Sequence, residues 1–573
     1  MRQVLLDLSI PRTLDSLTTD LLARRPTSLV EAWLFEPPAA RQAAEAALSE
    51  AGIDVRLRSA FKPLLCFFRE EIAMDQLRRV TIRYPQHAET SPVRFLSEAY
   101  PLAGLLPGVE LSFVADEPSS GDQPLAYKVE LEREDGQCER HDVFAPNLRR
   151  AGVLGSCGWL RVAGERDGPI ATEFEAIPQA ALAAVAGRDW SEPDGVPQSL
   201  TVAVSLGAED EPFGWSEEAI SFKELLHEEL LFALRDVVLG ERQERRSARC
   251  VRVVPDVRGS ADGSAHITLV LSDEGSSAET ARATMPLDQA DRPLGMAQIR
   301  NELSAIGGEV FAARSAEGRD VAWLHRMGAS APVLVTAGQH ANETSGVVGA
   351  LRAARQLAQD PAAHFALVPV ENVDGYELHQ RLIEHNPLHM HHAARFTALG
   401  DDILPERPVA DFEHAARRGA LMRTQARLHI NLHGYPSHEW SRPLSGYLPK
   451  GFEDWSMPRG FFLIITHHPG WAEAAHRLLD SVSATLAEDP ELVALNRWQI
   501  EIARVHSPMQ DFPVKNDVFY IMSESESCAM PLMVITEAPD ETVYGAAFQL
   551  LQRTQMRAAL ACVEAMRRID AGL

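Results

Sequence analysis

Nowhere does the chain hold an apolar run approaching the ~18 residues that a membrane span needs. Its longest candidate, Gly460 to Thr466, suffices only for a core strand. Cysteine is scarce too. Cys66, Cys138, Cys157, Cys250, Cys528 and Cys562 lie far apart with no C-x-x-C pair, which argues against a disulfide framework and against a thiolate zinc site. Positive charge is in deficit: 55 Lys and Arg stand against 81 Asp and Glu, and the formal net charge of -26 repels phosphate backbones and anionic lipid. Nucleic acid and membrane are therefore poor partners. The N-terminus reaches Asp7 before any secretory apolar region develops, so a cytoplasmic protein with reduced thiols is expected. No repeat or low-complexity tract is present.

What remains is an average soluble composition, 45% hydrophobic and 24% charged over 573 residues. At about 150 residues per domain, that length suggests two to four domains. Stretches rich in Gly, Pro, Ser and acids, Asp116 to Pro124, Asp189 to Pro197 and Gly259 to about Asp291, read as surface connections. The expected organisation is an N-terminal α+β accessory domain over 1–190, a small α+β accessory domain over 191–290, and an α/β domain over 291–573. In the second, a helix over Ser221 to Leu239 begins with a capping-box pattern, Ser221 followed by Glu224.

Charge and histidine are unevenly spread. The first 290 residues hold 47 acids against 30 bases and four histidines, and the remainder holds sixteen histidines. Histidine is both a metal ligand and an acid/base near neutral pH, so the C-terminal part is where chemistry is expected.

Four apolar runs there read as buried strands: Pro332 to Thr336, Ala366 to Val370, Arg427 to Leu432 and Pro531 to Thr536. They alternate with helical patterns, the signature of α/β architecture, in which ligands bind beyond the carboxyl ends of strands. After the first run come His340 and Glu343, a spacing that can bring both side chains onto one ion. After the third comes His433, and after the last Glu537. Singly, each has a structural reading: Glu343 favouring a helix dipole, His433 a hydrogen-bonded core residue. Together they supply two His and two Glu, enough for a His₂Glu zinc site with one carboxylate left as general base.

Residues from about 296 to 573 resemble the zinc carboxypeptidase family (M14 type). The motifs that carry the resemblance are Ser315-Ala-Glu-Gly-Arg319, His340 to Glu343, Asn372-Val-Asp-Gly-Tyr376, His433-Gly-Tyr435 and Glu537. The resemblance implies a mixed sheet flanked by helices, Zn²⁺ held by His340, Glu343 and His433, and Glu537 as general base and then general acid. It also implies Arg395 as clamp for the substrate's terminal carboxylate, Arg381 as second choice, Asn372 at the substrate site, and Tyr520 as a mobile cover. Ala394 stands where the family has Asn.

His340-Ala-Asn-Glu-Thr344 is also similar to the motif of the succinylglutamate desuccinylase and aspartoacylase group, as is the 89-residue gap from Glu343 to His433. The expected substrate is thus a peptide or an N-acyl amino acid. A non-catalytic peptide-binding protein is the third reading. His385, His389, His391 and His392 are expected to form a flexible cover over the site, and Glu524 and Glu526 are candidates for favouring a basic side chain.

Overall fold

The computed structural model of the chain describes every residue except 1, 122, 151, 189, 191–197, 208, 240–250, 261–262, 274–278, 404–410, 508–511 and 573. Cys250 and, apart from Trp190, the expected connection Asp189 to Pro197 lie outside the described residues, as do parts of the other two expected connections.

A nine-stranded mixed sheet organises the C-terminal part. Its order is Glu309–Arg314, Asp320–Arg326, Phe365–Val368, Val333–Ala337, Leu428–Tyr435, Leu532–Pro539, Phe462–His467, Val518–Glu524 and Val514–Lys515. The third to sixth of these are mutually parallel. Val333–Ala337 and Leu428–Tyr435 are buried at every position, which explains their near-continuous apolar sequence. Helices Ser345–Leu357, Ala472–Leu486 and Gly545–Asp570 pack together and on the sheet.

Two of the expected strands are longer than their apolar runs. The third continues through His433 to Tyr435 and the fourth through Glu537 to Pro539, and they pair in register with His433 opposite Glu537. Backbone pairing extends past the point where hydrophobicity stops, so these two residues sit on strands rather than beyond their ends.

The N-terminal part contains three four-stranded sheets. One joins Arg2–Ile10 to Ala265–Ser272, Gln198–Leu206 and Val251–Gly259, so a single sheet bridges the division expected near 190. Helix Phe222–Leu239 carries half of its expected capping box: Ser221 Oγ accepts from the Glu224 backbone N–H at 3.1 Å. The Glu224 carboxylate faces away, accepting from the Met390 backbone N–H at 2.6 Å and lying 3.2 Å from His438 Nε2.

That helix is the seam between the two parts. Phe222, Leu226 and Leu230 share one hydrophobic cluster with Leu378, Leu382, Ala394, Phe396 and Tyr447. His389, His391 and His392 are buried here and do not form the flexible cover expected for them; only His385 is exposed. Asp210, the partner of His389, and Glu228, one of two partners of His392, come from the other part of the chain. His389 Nε2 is 2.9 Å from Asp210, and His392 Nδ1 is 2.7 Å from Glu228, with His392 Nε2 3.2 Å from Glu541.

Burial opposes protonation of His392, but Glu228 and Glu541 overcome it and push its pKa up to about 10. His438 is likewise raised to about 10 against burial, by Glu224 and Glu218. An unfolded histidine titrates at about 6.5, so between these values the folded chain keeps protons that the unfolded chain has released. The stability from both contacts is complete below pH ~6.5 and is lost as pH rises towards ~10. The melting temperature is therefore expected to fall across that window, and Glu228→Gln to flatten the fall. A melting temperature that stays constant from pH ~6.5 to ~10 would contradict this.

Candidate metal centre

The strand Val333–Ala337 ends in a tight turn that places His340 and Glu343 just before helix Ser345–Leu357. Next to it, Leu428–Tyr435 presents His433 at the same height. All three side chains are buried. His340 Nδ1 lies 2.5 Å from Glu343 Oε1, His433 Nδ1 lies 2.9 Å from Glu343 Oε2, and the two Nδ1 atoms are 3.2 Å apart. Among the described residues, this is the only group of three or more His, Cys, Asp or Glu side chains that could close on one ion.

The donor set fits Zn²⁺. Two imidazole nitrogens and a carboxylate converge on one point, and His340 Nε2 faces Asp402 Oδ1 at 3.2 Å. An N–H at Nε2 directed to that carboxylate leaves the Nδ1 lone pair bare for a metal. Burial opposes ionisation of Glu343, yet the two histidines overcome it and hold its carboxyl well below the usual range.

Gly434 has a steric reason to follow His433. A side chain there would strike the Asp540 carboxylate, and without one the Gly434 N–H donates to Glu343 Oε2 at 3.0 Å. Asp540 Oδ2 in turn accepts from the Ser345 backbone N–H at 2.8 Å, tying the helix start to the strand end.

His340 and Glu343 open into a cavity of about 860 Å³ that Glu537, Glu541, Arg395 and Asp402 also line, with His433 directly behind them. Burial, reinforced by Glu343, pushes the Glu537 carboxyl well above the ordinary carboxylate range, with Arg395 acting against the rise. Arg395 already has carboxylate company: its guanidinium is 3.2 Å from Asp402 and 3.7 Å from Glu343.

Other residues singled out from the sequence stand elsewhere. Asn372 caps helix Val373–Leu382, accepting from the Gly375 N–H at 2.8 Å and donating to the Arg395 carbonyl at 3.0 Å, so it touches the cavity only through the Arg395 backbone. Arg381 is exposed on the last turn of that helix and does not line the cavity. Tyr520 pairs with Leu463 in the sheet and packs on the C-terminal core instead of covering the cavity. Glu524 and Glu526 are exposed at the end of the same strand, away from it.

The Ser315-to-Arg319 motif serves the Asn372 turn. Ser315 Oγ, the Glu317 N–H and the Arg319 guanidinium all donate to Asp374, at 2.8, 2.9 and 2.7 Å.

Sequence reasoning missed Asp402 and the accessory wall. Phe232, Arg235 and Asp236, all from helix Phe222–Leu239, line the same cavity as His340 and Glu343.

Residues 291–397 match the family model described as zinc carboxypeptidase. No curated protein matches the chain. Among solved structures, the chain is similar to a metallo-carboxypeptidase from Pseudomonas aeruginosa at 16% identity and a TM-score of 0.30, covering 54% of this chain and 76% of that one. A metallo-carboxypeptidase from Burkholderia cenocepacia gives 14% identity and a TM-score of 0.30, with 53% of this chain and 76% of that one covered. Carboxypeptidase A from Helicoverpa armigera gives 8% identity and a TM-score of 0.31, with 54% and 90% covered.

Proposed function

We propose that the chain is a zinc-dependent amide hydrolase of the metallocarboxypeptidase type, removing C-terminal residues from short peptides. The observation that carries this reading is the convergence of His340, Glu343 and His433 on one point at the wall of a cavity that Glu537 and Arg395 also line. Bound Zn²⁺ supplies Lewis-acid polarisation of the scissile carbonyl and an acidified water.

The chain's own residues do the rest. Glu537 receives the proton of the attacking water and returns it to the leaving amine, the task of a carboxylate whose pKa burial and Glu343 raise above the ordinary range. Arg395, held by Asp402 and by its backbone contact to Asn372, faces the negative charge that develops on the carbonyl oxygen. His340, Glu343 and His433 are buried, so charges among them act through a dielectric below that of bulk water. A cavity of this volume suits a ligand of small-molecule size, such as the last few residues of a peptide. The same size suits an N-acyl amino acid, which is the second reading.

Metal analysis and substrate competition test the proposal. Zinc should copurify with the protein, and His340→Ala should lower its zinc affinity by more than about 100-fold. A wild type that binds no zinc would sink both hydrolase readings. A mixed peptide library should lose C-terminal residues faster than N-acetyl or N-succinyl amino acids are hydrolysed. Turnover of the acyl amino acids alone would leave the deacylase.

A further inference from the structure

A carboxypeptidase must tell a free C-terminal carboxylate from a peptide bond, so its cavity needs a cation that is not already neutralised. Arg395 is poorly placed for this, because Asp402 and Glu343 both lie within 4 Å of its guanidinium. Arg442 reaches Ser445 Oγ at 3.1 Å, with Glu229 at 3.6 Å.

Lys450, the fourth cation on the cavity wall, is exposed to solvent; Arg235 differs from all three. It is 9% exposed, lines the cavity, and has no carboxylate within salt-bridge distance among the described residues. It donates through NH1 to the Gly400 carbonyl at 2.5 Å, and its guanidinium lies over the Phe396 ring at 3.4 Å. Those contacts fix its position without cancelling its charge. Burial lowers its pKa to about 10, which still leaves it a cation at neutral pH. Asp402, Asp401 and Asp236 favour its charge from beyond contact distance, and a buried guanidinium with no anion in direct contact is costly until one completes it. Its planar fork of donors matches a carboxylate.

Resting on the hydrolase reading above, we propose that Arg235, supplied by the accessory helix Phe222–Leu239, is the anchor for the substrate's terminal carboxylate. Arg395 then serves the reacting carbonyl. The helix outside the catalytic sheet would thus decide that the enzyme reads chain ends.

The test compares matched peptides ending in a free acid and in an amide, using the full-length zinc-loaded protein and its Arg235→Gln and Arg235→Lys variants. Wild type should prefer the acid strongly. Arg235→Gln should lower kcat/KM on the acid by about 100-fold, mostly through KM, and leave turnover of the amide nearly unchanged, so the acid-over-amide ratio collapses. Arg235→Lys, which keeps the charge and loses the fork, should recover part of that ratio. If Arg235 only pinned the Phe396–Gly400 turn, both substrates would suffer alike and the ratio would survive in Arg235→Gln, which would overturn the proposal.

Binding of 3-phenylpropionate, with its amide as neutral control, supplies a second readout by calorimetry. Binding of the acid that is lost in Arg235→Gln supports the anchor even if no peptide is cleaved, a result that would fail the hydrolase reading instead. Equal binding of the acid by wild type and Arg235→Gln, or no binding by either, counts against the anchor.

Discussion

Replacing Glu537 with Gln should lower kcat on every amide the protein cleaves by about 10²–10⁴-fold, with zinc content unchanged. Gln keeps the shape and the neighbours of the carboxylate but cannot take a proton from water. Glu537 is held by its strand: it pairs in register with His433 on one side and with Phe462 on the other, so little rearrangement is expected. Zinc content and melting temperature report whether the centre survives the substitution, and kcat reports whether the proton acceptor does. A Gln variant within tenfold of wild type would move the base elsewhere, and Glu541, on the same cavity wall, would be the next residue to replace.

An even larger effect is expected from isolating residues 291–573. The piece would keep the nine-stranded sheet and all three candidate metal ligands, yet should fail to give a cooperative unfolding transition by calorimetry. His392 would lose Glu228, His438 would lose Glu224 and Glu218, and His389 would lose Asp210. Breaking one buried charge pair costs about 3–5 kcal/mol. Leu378, Leu382, Phe396 and Tyr447 would also lose much of the cluster that buries them, at about 1.5–3 kcal/mol for each side chain fully exposed. A domain's whole stability is about 5–15 kcal/mol, so the losses exceed what the piece has available. A sharp two-state transition from this fragment would show that the seam is dispensable.

The contrast between these two predictions tracks what was legible in the sequence. His340, Glu343, His433 and Glu537 each follow a buried apolar run within a few residues, and the pairing of their strands brings them together. A local pattern therefore pointed to them. Asp402, Arg235 and the partners of the histidine cluster have no such marker. Glu228 meets His392 across 164 positions of sequence, and before folding it is one acid among the 47 in the first 290 residues. The acidic excess there is partly a set of buried partners for histidines elsewhere, and composition does not show which acids those are. Tyr520 is the opposite case: Phe519-Tyr520 fits strand core as well as a cover, and Tyr520 stands half-buried on the sheet. The fold of the C-terminal part was visible as strand and helix periods. The bridging sheet of the N-terminal part was not, because strand periodicity carries no information about which strands pair.

That bridging sheet also sets a timetable for the chain. Ile10 pairs with Ala265 and Arg2 with Ser272, so this strand, once it has left the ribosome, has no partner in its sheet until some 260 further residues have been made. At about 5–20 residues per second, this is a wait of roughly 13–50 s with an unsatisfied β-edge. Val4 and Leu8, exposed in the finished protein, stand on that strand. The accessory part cannot complete itself from its own beginning. It is closed late, by the segment that also leads into the nine-stranded sheet, so its assembly is coupled in time to the arrival of the candidate site it helps to wall.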